Sequence, residues 1–589
     1  MKSHRYHSHA TSPGIAIAPA YCLKRTTPTP PRYWILDRDV EQEVQRFVAA
    51  LKRSREQLVR VEAKMCRIQG YDQLKIIESQ RLFLQDEMLT KSTMETIRQG
   101  RINAEWALDK TLVQLKLSFL NVPEGHFRDR YQDIEYAGRR LMDNLLGGGG
   151  LSTSELPEGE CVIFVHDLSP AEVANFPRDR VAGIVMEVGG ETSHTAIIAR
   201  ALAIPAILGV KEEILQHVTD GETVIVDGVK GLVVLSPQKV ELAQYRTIKQ
   251  KYADLERLLM QDIHLPAKTR DGFSIRLEAN IELIDEIPSL LQHGAEGVGL
   301  YRTEYLFLNR MDFPSEEEQF ENYRTVLSRL GSRTVTIRTL DLGGDKMAFG
   351  QQEYEEQANP ALGLRAIRLC LRERSLLIAQ LRALLRASTA GKLRILVPLV
   401  SQVDEIHQVL KILNSVKKDL KKEKIPFRDD VPVGIMIEVP SAAMMAAEFA
   451  QLVDFFSIGT NDLLQYGLAI DRGNELVSHF FSPYEPAVIR LVHIAVEAAR
   501  KAKIPVTVCG EMAGDPFAIA FLLGLDLEAL SMNPVSIPRA KKIIRSLSRE
   551  EAQKLLHEVL TLPSAHEIEK HLHRKLQKLH LDRHGLFPL

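Results

Sequence analysis

From about residue 38 to 146, apolar residues recur at spacings of three, four and seven. Val40, Val44, Phe47, Val48, Leu51, Leu58 and Met65 fall on one stripe, the spacing that lines one face of a helix. NAEWALDKTLVQLKLSFL continues the pattern, and GGGG at 147–150 ends it. Ahead of this stretch, GIAIAPAYC (14–22) reads as a short strand, and TTPTPP (26–31) breaks regular structure. The pattern therefore predicts a helical bundle inserted after a first strand. Between 160 and 238 the period changes. ECVIFV, VAGIVM, ETVIVD and GLVVLS read as buried strands, with SPAEVANF and HTAIIARAL as helices between them. This predicts a compact α/β unit that takes in the N-terminal strand.

Residues 239–262 contain no Gly or Pro and keep a helical period, so they are expected to form a connecting helix. Beyond HLPAKTRDG, short apolar runs alternate with amphipathic segments: SIRLEAN, GVGL, TVTIRTL, RILVPLV, VGIMIEV, FFSIG and PVTVCG. That alternation predicts a parallel barrel. ALGLRAI (361–367) is taken as its weak fourth strand. The expected fold is multidomain α/β. Residues 1–32 and 148–238 form an α/β domain, 33–147 an inserted helical bundle, 239–264 a linker helix, and 265–589 a TIM-type (β/α)8 barrel.

Composition narrows the class without choosing the chemistry. A chain of 589 residues with a net charge of −2 gives no support to nucleic-acid binding as the main task. Cys22, Cys66, Cys161, Cys370 and Cys509 are scattered with no CxxC pair, which argues against a disulfide framework or a zinc cluster. They fit a reducing compartment, and the expected localisation is cytoplasmic. The opening MKSHRYHSHATSPG has no apolar run of signal-peptide type. No stretch approaches the roughly 18 apolar residues of a membrane span. His4, His7 and His9 read as a flexible terminus, and the closing HLHRKLQKLHLDRHGLFPL as a solvated helix face with a loose end.

In barrels of this kind the working residues sit where strands end. GVGL runs into Tyr301, Arg302, Thr303 and Glu304; TVTI into Arg338 and then DLGGDK; VGIMI into Glu438. FFSIG runs into Thr460, Asn461 and Asp462, with Asp471 and Arg472 following, and PVTV runs into Cys509 and Glu511. Arginine presents a planar fork to phosphate or carboxylate. Glu438 and Asp462 are hard oxygen ligands of the kind Mg²⁺ takes. A phosphorylated carboxylic acid satisfies these groups together. The chain has no GxxxxGK[ST] element and no protein-kinase motif set, so a nucleotide is not the evident phosphoryl source. Cys509 reads as a small hydrophobe unless the substrate needs a proton delivered to carbon.

One histidine stands apart. In GGETSHTAIIAR (189–200), Gly189 and Gly190 permit a tight turn, and Thr192 or Ser193 can cap the helix that follows. His194 falls in its first turn, with Ile197, Ile198 and Leu202 packing inward. Helix N-termini attract anions and favour a neutral, nucleophilic imidazole. Thr195 is expected to donate a further hydrogen bond. The segment suits a histidine that carries a phosphoryl group.

With SPGIAIAPA, GGETSHTAIIARAL, GVGLYRTEYLFLNR, IRTLDLGGDK, NPALGLRAIR, GIMIEVPSA, FFSIGTNDLLQYGLAIDRGN and CGEMAGD, the chain resembles the Enzyme I family of the bacterial sugar phosphotransferase system along nearly its whole length. The resemblance implies autophosphorylation of His194 by phosphoenolpyruvate with Mg²⁺, release of pyruvate, and transfer to the phosphocarrier protein HPr. It implies that Arg302 and Arg338 bind the substrate phosphate with support from Arg365. Asn461, Asp462 and Arg472 complete the substrate site, Glu438 and Asp462 bind Mg²⁺, and Cys509 donates a proton. It further implies a swivelling phosphohistidine α/β domain, hinged near 147–160 and 237–265, a bundle that docks HPr, and a homodimer formed through the barrel. Glu191, where the family often has arginine, and Gly467 depart from its pattern. Pyruvate phosphate dikinase and phosphoenolpyruvate synthase share the chemistry but need a large ATP-binding domain, for which residues 1–188 are too few and too helical. A signalling relative that keeps the fold but serves regulation differs only downstream.

Overall fold

The computed structural model describes residues 3–23, 30–68, 81, 83–84, 86–120, 127–147, 156–177, 179–189, 194–202, 204–210, 214–307, 312–343, 359–471, 477 and 480–578. The chain divides into two compact units, Met1–Ala253 and Asp254–Leu589. In the first, one sheet runs in the order β1-β8-β7-β3-β4-β5-β6-β2. Its strands are β1 His4–His7, β2 His9–Ser12, β3 Ile15–Cys22, β4 Cys161–Val165, β5 Val181–Met186, β6 Ala206–Leu208, β7 Thr223–Asp227 and β8 Leu232–Leu235. The expected N-terminal strand is thus β3, paired parallel to β4 and antiparallel to β7.

The histidine-rich opening is not a flexible end, as the sequence suggested. His4–His7 pairs antiparallel with β8, His9–Ser12 pairs with β6, and Arg5 reaches Glu241 at 2.6 Å. An edge strand needs little apolar patterning, because only one of its sides is hydrogen-bonded and its side chains stay largely in water. Between β3 and β4 lie the helices Val40–Ile68, Glu87–Gly100, Ala104–Leu120 and Phe127–Leu145. Val44, Phe47, Leu51 and Leu58 of the expected stripe are buried, while Val48 is exposed. Met65 has its side chain outside the described residues.

The second unit holds a closed barrel of eight parallel strands, each beside its neighbour in sequence. They are β9 Arg276–Ile281, β10 Val298–Tyr301, β11 Thr334–Arg338, β12 Lys392–Val397, β13 Val433–Ile437, β14 Phe455–Ile458, β15 Val506–Val508 and β16 Ala529–Met532. Seven match the predicted runs. ALGLRAI is not the eighth: Pro360–Leu362 is a 3-10 turn and Ala366–Arg372 a helix, and only Arg365 makes a single bridge, to Gly343. β16 takes that place, pairing with β15 and β9. The closing helix Ala565–Lys578 buries Ile568, Leu572 and Leu576. Residues 579–589 lie outside the described set. No described helix is long and apolar enough to cross a membrane.

Inside the barrel, Glu278 of β9 is 2% exposed. Arg276 lies 3.4 Å from it, and Arg276 and Arg394 both engage Glu528, at 2.9 Å. Gly299 of β10 leaves room for this carboxylate. A Cβ there would fall 2.5 Å from Ser531 and 2.8 Å from Glu278 Oε2. Gly299→Ala should therefore overpack the barrel and cost about 1–3 kcal/mol, measured as a lowered unfolding midpoint of the full chain.

Burial pushes the Glu278 carboxyl up to about 7, against the pull of Arg276 and Arg394. The folded state thus holds a proton that the unfolded chain releases near its ordinary 4.5. Its contribution to stability is complete below that value and is lost as pH rises through about 7. Glu278→Gln should flatten this fall, and at about pH 8 should leave the barrel more stable than wild type by on the order of 1–3 kcal/mol. Thermal melts across pH check both.

Candidate active site

Five strands, β10, β11, β13, β14 and β15, end on one rim of the barrel and run into the residues singled out from the sequence. Arg302 follows β10. It is part-exposed and forms an ion pair with Glu282, just past the end of β9. Thr303, the next residue, is buried and donates its hydroxyl proton to the Arg338 carbonyl at 2.8 Å, tying β10 to β11.

Arg338 ends β11 and is almost completely buried. Its guanidinium meets Glu304 at 3.1 Å and Asp341 at 3.0 Å. One N–H points to the Met436 sulfur at 3.7 Å, and Nε has no partner among the described residues. Burial works against the charge, but Glu304, Asp341, Glu438 and Asp462 outweigh it and raise the pKa, so the group stays a cation. Asp341 is shared. Its second oxygen accepts from Arg365 at 2.8 Å. Arg365 is delivered by the Gly343–Arg365 bridge and by the bond from Ala366 N–H to the Leu342 carbonyl. One carboxylate therefore sets the spacing of two guanidinium groups.

Glu438 immediately follows β13 and is 1% exposed. Its Oε1 accepts from the Leu399 N–H at 2.6 Å. Leu399 holds that amide in place from a left-handed backbone at φ 53°, a conformation a leucine adopts only under constraint. Oε2 is buried and has no partner among the described residues. Gly459, after β14, leaves the space beside it, since a Cβ there would lie 3.0 Å from Oε2. Burial and the neighbouring Asp462 and Asp341 raise the Glu438 pKa well above its ordinary value, with Arg338 opposing.

Asn461 and Asp462 lie in the first turn of the helix Thr460–Leu468 that follows β14. Asn461 and Glu511 clasp each other: Nδ2 donates to Glu511 Oε1 at 3.1 Å, and Oδ1 accepts from the Glu511 N–H at 2.9 Å. Gly467 sits in the last turn of that helix, where a built Cβ would lie 3.8 Å from Leu491 and Val488. Cys509 follows β15 and is 2% exposed. Arg472 lies outside the described residues.

His194 opens the helix His194–Ala201 in the first unit. Gly189, at φ 109°, makes the turn in a region only glycine enters freely. Ile198 and Leu202 are buried as expected, whereas residues 190–193, with the predicted caps, and the His194 side chain lie outside the described set. Thr195 donates a hydrogen bond, but within the fold. It is buried and its hydroxyl donates to the Leu168 carbonyl at 2.8 Å, so that proton ties the helix to the β4 loop rather than facing a ligand.

The rim thus brings together Arg302, Arg338, Arg365, Glu438, Asn461, Asp462 and Cys509. Asp341, Glu304 and Glu282, which hold the arginines, have no role assigned from sequence alone. The spacing of Asp341 three residues after Arg338 was the available signal. Two buried or half-buried carboxylates with one unpartnered oxygen and an open glycine beside it fit a hard divalent cation. Among the described residues no group of three acidic, His or Cys side chains forms a closed cage.

Comparison with known proteins agrees with this chemistry. Residues 256–549 match the family of the PEP-utilising enzyme, PEP-binding domain. Residues 7–130 match the PEP-utilising enzyme, N-terminal family, and 157–231 the PEP-utilising enzyme, mobile domain. The phosphoenolpyruvate-protein phosphotransferase of Bacillus sp. (strain S) is 41% identical over 562 residues, covering 95% of this chain and 96% of that protein. Those of Geobacillus stearothermophilus and Bacillus subtilis (strain 168) are each 40% identical, covering 95% of this chain and 96% and 97% of theirs. The chain belongs to the phosphoenolpyruvate-protein phosphotransferase family and is, with it, a transferase.

Proposed function

We propose that this protein takes the phosphoryl group of phosphoenolpyruvate onto His194, releases pyruvate, and passes the group to a histidine of HPr, the first step of a sugar phosphotransferase system. The observation that carries the reading is the buried, partnerless Glu438 oxygen beside a charged Arg338 at the barrel rim. A cation would satisfy the Glu438 oxygen, and an anion would find the Arg338 Nε that has no partner among the described residues.

In this reading Arg302 and Arg338 take the phosphate, and Arg365 supports it through the shared Asp341. Asn461, Asp462 and Arg472 hold the remaining anionic groups of the substrate. Glu438 and Asp462 hold Mg²⁺, which when bound supplies positive charge against the phosphate and enolate oxygens. The arginines are fixed by carboxylates before substrate enters, so little reorganisation accompanies binding. The P–O bond to the enolate breaks as a P–N bond forms at His194. The enolate carbon then takes the Cys509 thiol proton, completing the methyl group of pyruvate. Burial pushes that thiol up to about 11, so it carries its proton at neutral pH and suits the role of acid.

The acceptor is a protein in the relatives' printed names. We place HPr docking on the helices between residues 33 and 147, the phosphohistidine domain at 1–32 and 148–238, the linker at 239–264, and phosphoenolpyruvate binding and the homodimer in residues 265–589. The scattered cysteines, with no CxxC pair, support a cytoplasmic setting.

Intact mass spectrometry tests the reading. With phosphoenolpyruvate and Mg²⁺ but no nucleotide, the full chain should gain one acid-labile phosphoryl group, and His194→Ala should gain none. Labelling that appears only with ATP contradicts the reading. Arg338→Gln, which removes the guanidinium from Glu304 and leaves Asp341 only Arg365, should lower kcat/KM for phosphoenolpyruvate by on the order of a hundredfold or more. Steady-state kinetics of pyruvate release checks this.

A further inference from the structure

The Cys509 thiol lies in an apolar pocket of the barrel interior formed with Leu300, Leu396, Met436 and Phe455. Its sulfur has two polar neighbours. The thiol donates to the Ile458 carbonyl at 3.5 Å, and the sulfur accepts from the Ser457 hydroxyl at 3.1 Å. Ser457 sits in β14 and is 1% exposed. Its hydroxyl has no other hydrogen-bond partner among the described residues. A neutral thiol is a weak acceptor, so this buried hydroxyl is poorly satisfied while Cys509 keeps its proton. The same hydrogen bond becomes strong once the sulfur is an anion.

The backbone on the other side is held independently. Asn280 of β9 donates to the Cys509 carbonyl at 2.8 Å, and Ser531 of β16 donates to Asn280 at 2.6 Å. Cys509 N–H donates to the Ile458 carbonyl at 3.0 Å. The end of β15 is therefore fixed from β14 and β9, and the hydroxyl of Ser457 is the hydrogen-bond donor placed on the sulfur.

We infer that Ser457 is a positioning residue for the proton transfer: it occupies a lone pair of the Cys509 sulfur, leaving S–H free to turn from the Ile458 carbonyl toward the substrate, and it stabilises the thiolate that remains. The inference rests on the reading of Cys509 as proton donor. In the step, S–H breaks and C–H forms at the enolate carbon, the electron pair stays on sulfur, and the thiolate regains a proton from solvent. The hydrogen bond from Ser457 lowers the cost of that thiolate. Of the charged groups nearby, Glu438 opposes it and Arg338 and Arg302 favour it.

The reverse half of this step isolates it from phosphoryl transfer. Exchange of pyruvate methyl protons in D2O, followed by proton NMR on the full chain with Mg²⁺, reads thiolate chemistry without His194. Ser457→Ala should slow exchange roughly tenfold to a hundredfold. It should also move the rise of exchange with pH to higher pH, because the thiolate has lost its donor, and leave half-saturating pyruvate unchanged. Ser457→Thr, which keeps a hydroxyl, should recover most of the rate. If Ser457→Ala exchanges like wild type while Cys509→Ala does not exchange, the role of Ser457 is overturned and the donor reading stands. If Cys509→Ala exchanges like wild type, the donor reading falls and the inference falls with it. A Ser457→Ala protein that melts earlier and binds pyruvate more weakly, with an unmoved pH profile, assigns the hydroxyl to packing and also overturns the inference.

Discussion

Everything at the barrel rim follows from one constraint: a guanidinium buried at Arg338 must be surrounded by carboxylates, and those carboxylates must themselves be satisfied. Glu304 and Asp341 answer the first requirement directly. Asp341 also fixes Arg365, and Glu304 accepts the Asp341 backbone N–H at 3.0 Å. Removing either acid would strip a buried cation of one of its two ion pairs, which is costlier than losing an exposed ion pair. The rim is therefore a preset charge pattern, assembled when the barrel closes rather than when a ligand arrives.

The same constraint explains where the pattern stays incomplete. Glu438 gives one oxygen to the strained Leu399 amide and leaves the other buried without a partner. Its ionisation is disfavoured by burial and by Asp462 and Asp341. Such a group is a poor structural choice, since an apolar residue of similar size would hold β13 at less cost. It is a good choice for a site whose last charges come from outside. Gly459 and Gly510 belong to this design: a Cβ on either would strike, respectively, Glu438 at 3.0 Å or Thr460 Oγ1 at 2.0 Å. The first half of the chain solves a different problem. Its strand-to-helix turn at Gly189 presents a helix start, and Thr195 spends its hydroxyl on anchoring that helix to the β4 loop.

Much of this was legible in the sequence, because the barrel strands are short apolar runs followed directly by charged residues. Once GVGL, TVTI, VGIMI, FFSI and PVTV are read as parallel strands, Arg302, Arg338, Glu438, Asp462 and Cys509 must share a rim. What failed to show has physical reasons. β16 hides within FAIAFLLGLDLEALSM, a nearly continuous apolar stretch in which period does not separate strand from helix. Pro360 just before ALGLRAI and Gly363 within it were the warning against a strand there. His4–His7 forms a strand through backbone pairing at a sheet edge, so its side chains carry no hydrophobic signal. Asp341, Ser457 and Asn280 act through partners far away in sequence or across a strand pair, and a lone small polar residue inside an apolar run says nothing about which atom it faces. The caps of the His194 helix and the place of Arg472 lie outside the described residues.

The central claim is that the unpartnered acid at Glu438 and the buried Arg338 await a cation and an anion together. Calorimetric titration of the His194→Ala protein, which binds substrate without turning it over, measures this directly. Phosphoenolpyruvate should bind at least about tenfold more tightly with Mg²⁺ present, Mg²⁺ should gain the same factor from phosphoenolpyruvate, and the coupling should vanish when Glu438→Gln is added. Equal affinity for phosphoenolpyruvate with and without Mg²⁺, or coupling that survives Glu438→Gln, would contradict the account.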